Sequence, residues 1–348
     1  MPYGILAADQ ISTSVTGVSL GAGNATRFKN RIINGDMRID QRNAGASVTP
    51  TTDPTYTLDR WVAGFSQASK FSVQQNAGAV TPPVGFTNYL GVTSLSSYSV
   101  GASDYFRIVQ KVEGLNFSDL SWGTADAKTV TLSFWVRSSL TGTFGGALSN
   151  SSQALGYAFS YSIPVANTWT QISVTVAGPT TGTWLTTNGI GLWVIFGLGA
   201  GSTYSVTPGS WITQNYINSA TGAVSVVGTN AATWYVTGVQ LEVGSIATGF
   251  EYVDYPTQLS MCQRYYEQFV GGGYLGVATT SQYYGFIANF KVTKRATPTV
   301  ARISDVTFGN VNTPYAQDAS VNGCLSVAQS TNNNAVQWNT TYSASIEL

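Results

Sequence analysis

The feature that most constrains the fold of this 348-residue chain is an alternation of apolar and polar side chains along most of its length. Successive side chains of a β-strand point to opposite faces, so such a run buries one face and exposes the other. Five runs show the pattern most clearly: 106–113, 130–137, 171–176, 190–198 and 239–243. Turn-forming clusters such as 138–142 separate them. The pattern predicts an all-β protein in which two antiparallel sheets pack face to face as a β-sandwich.

A helical pattern follows the predicted sandwich. It runs from Tyr255 to Phe269, with Pro256 in the first turn and Gly271 just beyond the end. One helical face would carry Leu259, Cys262, Tyr266 and Phe269. We therefore predict a linking helix over 255–270, between a sandwich over 30–254 and a second, smaller C-terminal β-module over 271–348.

The first 29 residues are rich in serine, threonine and glycine and carry few apolar side chains. Such a segment cannot bury enough surface to fold alone. We expect it to become ordered only against a partner, which makes residues 1–29 a candidate attachment segment. The same residues lack the basic region and the apolar stretch of a signal peptide, so we expect synthesis in the cytoplasm.

Composition excludes several functions. Only 9% of residues are charged and the net charge is zero, so nothing attracts a phosphate backbone and we predict no nucleic-acid binding. The most apolar run, 190–198, is too short to span a bilayer, and we predict no membrane insertion. Histidine is absent, which removes the usual general base and the commonest transition-metal ligand. The two cysteines, Cys262 and Cys324, lie far apart, and buried reduced thiols are expected.

The acidic residues do not suggest a catalytic pair. A glycosidase needs two carboxylates on either side of a sugar, one of them with a raised pKa. The first cluster of acids is interleaved with arginines, which indicates ion pairs or turn caps; it comprises Asp36, Asp40, Asp53 and Asp59 with Arg38, Arg42 and Arg60. A second group surrounds Trp122 and comprises Asp104, Glu113, Asp119 and Asp126. Neither group has an evident base with partners, so we predict that the protein is not an enzyme.

Aromatic residues give a more useful signal. Trp122, Trp184, Trp211 and Tyr216 lie in loop-like segments with little charge. Sugar rings present C–H faces that stack on such side chains, while amides and hydroxyls bind the ring hydroxyls. These four residues are therefore candidate glycan contacts. The alternative, which the sequence leaves open, is that they close the ends of the sandwich or form subunit interfaces.

Several segments also resemble a known group of proteins. The stretch 30–61 begins Asn-Arg-Ile-Ile-Asn-Gly-Asp-Met and indicates two short strands, at Ile32–Ile33 and at Met37–Ile39, around a turn at 34–36. Together with 106–113, 128–137, 168–175, 236–244 and the later Cys-Gln-Arg-Tyr-Tyr-Glu element, it resembles the jelly-roll, carbohydrate-binding-module-like domains of bacteriophage tail fibres and related virion proteins.

The resemblance implies a virion protein with a jelly-roll sandwich. It implies that residues 1–29 anchor the chain to other phage tail or capsid proteins, and that exposed domains bind host surface polysaccharide. A homotrimer is the expected assembly. A structural calcium ion, common in the carbohydrate-binding relatives, would fall at Asp36 and Glu242; no other cofactor is expected. The alternatives are a head-decoration or tail-adaptor protein without glycan binding, and a bacterial polysaccharide-binding protein or hydrolase.

Overall fold

The computed structural model describes residues 28–348, whose regular structure is almost entirely β-strand. Residues 1–27 of the predicted attachment segment lie outside this range. The strands of the first unit are β1 (Thr55–Leu58), β2 (Trp61–Phe65), β3 (Phe71–Gln75), β4 (Leu90–Ser94), β5 (Tyr105–Glu113), β6 (Val130–Ser138), β7 (Gly142–Ser149), β8 (Leu155–Ile163), β9 (Thr170–Val176), β10 (Ile190–Ala200), β11 (Ser205–Val206), β12 (Trp211–Thr213), β13 (Ser219–Ala220) and β14 (Thr233–Val243). Helix α1 (Tyr255–Gln263) precedes β15 (Tyr266–Leu275), β16 (Tyr283–Asn289), β17 (Thr299–Gly309), β18 (Tyr315–Gln317), β19 (Gly323–Gln329) and β20 (Val336–Ser345).

The first unit is a sandwich of two antiparallel sheets. The larger sheet has seven strands in the order β1-β2-β5-β10-β7-β8-β12, and the smaller has five in the order β3-β4-β14-β6-β9. A short parallel pair, β11 with β13, lies outside both. The predicted fold class, an all-β jelly-roll sandwich with a linking helix and a smaller C-terminal β-module, is confirmed.

The core lies between the two sheets and comes from the alternating rows. On β5, Phe106 and Ile108 point inward, while Arg107 and Lys111 lie on the outer face. Phe134 of β6 contacts Phe196 of β10 edge to face, with 5.0 Å between ring centroids. Burying one such side chain contributes about 1.5–3 kcal/mol. Apolar contact between the sheets therefore holds the sandwich together. The outer face of the larger sheet carries a second, smaller apolar cluster, which includes Val109 and Ile195, beside polar side chains such as Arg107.

The predicted strands at Ile32–Ile33 and Met37–Ile39 are wrong. Residues 33–36 form turns, and the first strand among the described residues begins at Thr55. Asn34 and Met37 both have φ near +59°, which breaks an extended backbone. The Asn34 side chain instead bonds the main chain of Ile39, at 2.8 and 3.0 Å. The apolar side chains are buried as expected, but in a compact coil.

The predicted helix over 255–270 is also too long. Asp254 caps α1 by accepting a hydrogen bond from the Thr257 N–H at 3.1 Å, and the helix ends at Gln263. From Tyr266 the chain pairs residue by residue with β20. Phe269 therefore lies on a strand, where it stacks on Tyr342 with 5.6 Å between ring centroids. All ten residues of β15 pair with β20, so the backbone hydrogen bonds here run between strands and not within a helix.

The C-terminal module consists of two three-stranded sheets, β15-β20-β17 and β16-β19-β18. Both cysteines are free and buried, Cys262 on α1 and Cys324 in the module core. Strand β17 is an edge strand, and residues 301–307 on it are exposed. No helix in 28–348 is long and apolar enough to cross a membrane.

Buried ion pairs join the module to the sandwich. Arg264 donates two hydrogen bonds to Glu113, at 2.7 and 3.0 Å, and the Tyr265 hydroxyl also donates to that carboxylate. Glu347 pairs with Arg60 and, at 2.7 Å, with Arg42. The main-chain oxygen of Leu348 accepts a hydrogen bond from the Tyr56 hydroxyl at 2.8 Å on the outer face of the larger sheet. Few residues are charged, and many of those that are lie in this joint.

Candidate functional site

Three of the four predicted glycan contacts come together at one end of the sandwich. The rings of Trp122 and Trp184 lie 4.9 Å apart, and Trp211 lies 5.2 Å from Trp122 and 5.6 Å from Trp184. Phe117 packs against the first two at 5.1 and 5.5 Å. Most of these contacts are edge to face, the arrangement that aromatic rings prefer in a core.

This tryptophan cluster is turned inward. Trp122 is only 5% exposed and Trp184 only 9%. Each indole N–H of the cluster already donates to a main-chain carbonyl: Trp122 to Lys128 at 2.7 Å, Trp184 to Thr181 at 3.2 Å and Trp211 to Ala177 at 2.8 Å. A depression of about 440 Å³ remains beside it, with Thr124 and Asp126 on its wall. The cluster closes the end of the sandwich, and glycan binding by these three residues stays a prediction.

Tyr216 lies elsewhere, on the outer face of the larger sheet. It lines a pocket of about 300 Å³ together with Asp53, Tyr105, Arg107, Tyr204 and Asn218, which we call the tyrosine pocket. Tyr105 and Tyr204 meet edge to face with 5.6 Å between ring centroids. Tyr216 is 49% exposed. Aromatic rings therefore surround a small set of polar groups, which is typical of sites that bind small molecules.

Glycines in the sheet make room for this pocket. Arg107 on β5 pairs with Gly64 on one side and Gly197 on the other. A Cβ at Gly64 would lie 2.8 Å from Arg107 Nε, and one at Gly197 would lie 2.8 Å from Ser219 Oγ. The missing side chains let the guanidinium lie flat on the sheet and let the segment after Tyr216 pack closely above it.

Hydrogen bonds hold the pocket in place. Tyr216, with φ +58°, donates its N–H to the Gln153 carbonyl at 2.9 Å. The Asn218 amide donates to the Tyr216 carbonyl at 2.9 Å and accepts from Arg107 Nη1 at 2.6 Å. Gln153 Oε1 accepts from the same nitrogen at 2.9 Å. The loop that carries Tyr216 is therefore tied to the sheet before any ligand arrives.

Arg107 is the most unusual group of the pocket. Its side chain is only 9% exposed, yet none of the carboxylates in residues 28–348 lies within 4.0 Å of it. Its Nε is buried without a hydrogen-bond partner. Burial lowers the pKa of Arg107, and the neighbouring Tyr105 and Asp53 only partly offset this.

Asp53 lies at the exposed rim of the pocket. Its carboxylate accepts hydrogen bonds from the Phe65 N–H at 2.9 Å and from the Tyr105 hydroxyl at 3.0 Å. Burial and the adjacent Asp53 charge raise the pKa of Tyr105 to about 12, so the phenol is neutral at ordinary pH. Tyr105 thus orients the carboxylate and presents its ring edge to the pocket.

The two residues predicted to bind calcium are bonded to donor groups. Asp36 pairs with Arg38, and burial raises the pKa of Asp36. Glu242 accepts hydrogen bonds from Thr248, at 2.6 and 2.8 Å, and from Gln240 at 2.9 Å. Only Asp36 Oδ1 lacks a partner. Ca²⁺ needs six to eight free oxygens, and these surroundings do not fit it. Across residues 28–348 no three acidic or cysteine side chains cluster as a metal site.

Three further acids have structural partners. Asp40 accepts hydrogen bonds from the N–H groups of Asn43 and Gly45, at 3.0 and 2.8 Å, which caps a turn. Asp104 accepts from Ser66 and Tyr98, both at 2.8 Å. Asp119 pairs with Arg31 at 2.5 Å. Ion pairing or turn capping, the interpretation preferred from the sequence for the first group of acids, is found for Asp36 and Asp40.

Sequence reasoning missed most of the tyrosine pocket. The alternation over 106–113 puts Arg107 on the outward row of β5, and extending it by one residue puts Tyr105 on the same row. Tyr204, Tyr216 and Asn218 come from the segment between β10 and β13. The alternation of apolar and polar residues does not predict the path of this segment. The usable signal for the pocket was a charged residue, Arg107, on a strand whose neighbouring strands carry glycines, Gly64 and Gly197, at the facing positions.

Comparison with known proteins gives no family. No family model matches the chain, and no curated protein matches it. The enzymatically active domain of tailspike protein 4 from bacteriophage CBA120 has 11% identity and a TM-score of 0.34, covering 62% of this chain and 22% of that one. TmCBM61 in complex with β-1,4-galactotriose has 10% identity and a TM-score of 0.32, covering 62% and 99%. A family 11 carbohydrate-binding module from Clostridium thermocellum, with a mixed-linked tetrasaccharide, has 12% identity and a TM-score of 0.29, covering 59% and 98%. Similarity this low does not establish what the chain binds.

Proposed function

We propose that this chain is a non-catalytic carbohydrate-binding protein and that the tyrosine pocket is its binding site. The observation that carries the proposal is the arrangement of Tyr105, Tyr204 and Tyr216 around Arg107 and Asn218, on the outer face of a rigid sheet. The rings can stack on the C–H faces of a sugar, and the amide, guanidinium and Asp53 carboxylate can bond its hydroxyls.

In the organism, the proposed role is that of a bacteriophage tail fibre or comparable appendage. Residues 1–29 would attach the chain to the particle and the pocket would bind host surface glycans, the role implied by the resemblance of the strand sequences. A homotrimer would present three pockets. Linked copies make later contacts intramolecular and can raise avidity by about 10²–10⁴. The free, exposed edge of β17 is available for association between copies.

A glycan array followed by calorimetry tests the binding site. Losing one stacked ring should weaken binding roughly 2- to 10-fold, so Tyr204→Ala and Tyr216→Ala should each reduce the affinity for the glycans retained. Tyr283→Ala is the matched control, because Tyr283 is 62% exposed and lies in the C-terminal module. Equal affinities for all three variants and the parent would refute the assignment.

A second test addresses the virion role. Removing residues 1–29 should abolish incorporation into phage particles while leaving glycan binding by the purified protein intact. Incorporation of the shortened chain would remove the appendage hypothesis.

The second candidate is a head-decoration or tail-adaptor protein without glycan binding. The inward-facing tryptophan cluster favours this role, because its rings pack on one another inside the sandwich and are not presented to a glycan. This role would be supported if the full-length protein bound no glycan on the array and was still incorporated normally into phage particles.

A further inference from the structure

We propose that the ligand of the tyrosine pocket is an acidic sugar, whose carboxylate pairs with Arg107. This assignment presupposes that the pocket binds carbohydrate and names the chemical class of the ligand. It covers uronic and sialic acids, in which a carboxylate is attached directly to the pyranose ring.

The first observation is the incomplete pairing of the Arg107 guanidinium. Nη1 donates to two neutral amide oxygens, of Gln153 and Asn218, and Nε has no partner. An isolated buried cation is costly, because it loses hydration without gaining a counter-charge. Arg107 also lines an open pocket of about 300 Å³, so an incoming anion can supply that counter-charge.

The second observation is a second buried cation on the same face. Lys111 is 8% exposed, has no aspartate or glutamate carboxylate within 4.0 Å among the described residues, and donates a hydrogen bond to the main-chain oxygen of Leu348. The two cations approach one ring, that of Trp193, at 4.7 Å for Lys111 and 5.4 Å for Arg107. Burial and, to a smaller extent, the positive charge of Arg60 lower the pKa of Lys111 to about 8.

Arg107 is the one cation among the described residues that line the pocket, and Asp53 is the one acid. Arg60, on the same side of the sheet, is neutralised by Glu347. The nearest acid facing Arg107 is Asp53, which is exposed at the rim and already accepts two hydrogen bonds. A neutral hydroxyl would leave the Arg107 guanidinium without a counter-charge, whereas a carboxylate matches its planar fork.

The test compares acidic sugars with their neutral esters. Two probe pairs are titrated by calorimetry: trigalacturonate and its methyl ester, and sialyllactose and its methyl ester. A hydrogen-bonded charge contributes enough that the free acid should bind about 10- to 100-fold tighter than the ester in a pair that binds. Arg107→Gln should remove this difference, while Arg302→Gln, which changes an exposed arginine of the C-terminal module, should preserve it.

Asp53→Asn is an independent variant that leaves Arg107 in place. Removing the rim carboxylate should raise the ratio of acid to ester affinity by roughly 2- to 5-fold, because the lost charge repels the acid and not the ester. Thermal melting of each variant confirms that it is folded, and if Arg107→Gln does not fold, the Asp53 variant and the acid-to-ester ratio decide.

Equal affinity for acid and ester overturns the assignment of an acidic ligand. So does retention of neutral glycans on the array without binding of either acid. In both cases loss of binding in Tyr216→Ala would still support a carbohydrate pocket. If no acidic or neutral glycan binds, the proposed function fails together with this inference.

Discussion

Replacing Glu113 with glutamine tests whether the sandwich and the C-terminal module are held together by buried charge. Glu113 lies on β5, is 1% exposed and accepts hydrogen bonds from Arg264 and Tyr265. Burial alone would raise the pKa of Glu113, but these bonds outweigh it and hold the pKa below its usual range. The substitution keeps the volume and removes the charge.

The expected loss of stability follows from the position of Arg264, which would remain partly buried without its counter-charge. Breaking a buried ion pair destabilises by about 3–5 kcal/mol, because the remaining partner stays buried without a counter-charge. The Arg264 side chain is 33% exposed and can recover some hydration, which places the value at the lower end, about 3 kcal/mol. Arg302→Gln is the control: its pair with Asp305 is exposed on the C-terminal module and should contribute about 0–1 kcal/mol.

Urea unfolding followed by circular dichroism measures both variants. The free energy of unfolding of Glu113→Gln should fall by about 3 kcal/mol relative to the parent, and that of Arg302→Gln by less than about 1 kcal/mol. Because the folded-state pKa of Glu113 is lowered, its contribution is present above the unfolded-state pKa and disappears as the pH falls through the folded-state value. A change within about 1 kcal/mol for Glu113→Gln would refute the reasoning.

Three further predictions concern the sandwich. Trp184→Ala should lower the free energy of unfolding by about 3–5 kcal/mol in urea titration, because it opens the tryptophan cluster, and should leave the glycans retained on an array unchanged. Burial raises the pKa of Asp59 to about 6, against hydrogen bonds from Gln41. Its contribution is therefore complete below about pH 3.8 and lost as the pH rises through 6. Between pH 4 and pH 7 the free energy of unfolding of the parent should fall by about 2 kcal/mol more than that of Asp59→Asn. Gly35→Ala should destabilise by about 1–3 kcal/mol or more, since its Cβ would lie 2.1 Å from the Val239 carbonyl oxygen; an unchanged melting temperature would contradict this close approach.

The strands of the sandwich could be predicted from sequence because their side chains alternate against a shared core. Phe106 and Ile108 of β5 face inward as their spacing indicates. The pattern fails where backbone conformation and not burial decides the structure. Around Asn34 the apolar residues are buried in turns, and beyond Gln263 a chance helical spacing lies on a strand that pairs with β20.

The candidate site was less accessible to sequence reasoning. Trp122, Trp184 and Trp211 can be identified in loop-like segments of the sequence. Their indole N–H groups already donate to main-chain carbonyls, and the sequence pattern does not predict these hydrogen bonds. Tyr216 was identified, yet its partners come from β5 and from the segment before β13. A pocket formed by one strand and one distant loop depends on tertiary contacts such as that of Asn218 with Arg107, at 2.6 Å.

The central claim is that sugars bind at the tyrosine pocket and not at the tryptophan cluster. The most direct measurement is an NMR titration of protein with labelled tyrosine and tryptophan rings, using the oligosaccharide that an array retains most strongly. Ring signals of Tyr105, Tyr204 and Tyr216 should shift in a saturable manner, while the indole N–H signals of Trp122, Trp184 and Trp211 should stay in place. Saturable shifts confined to the indole signals would contradict the account.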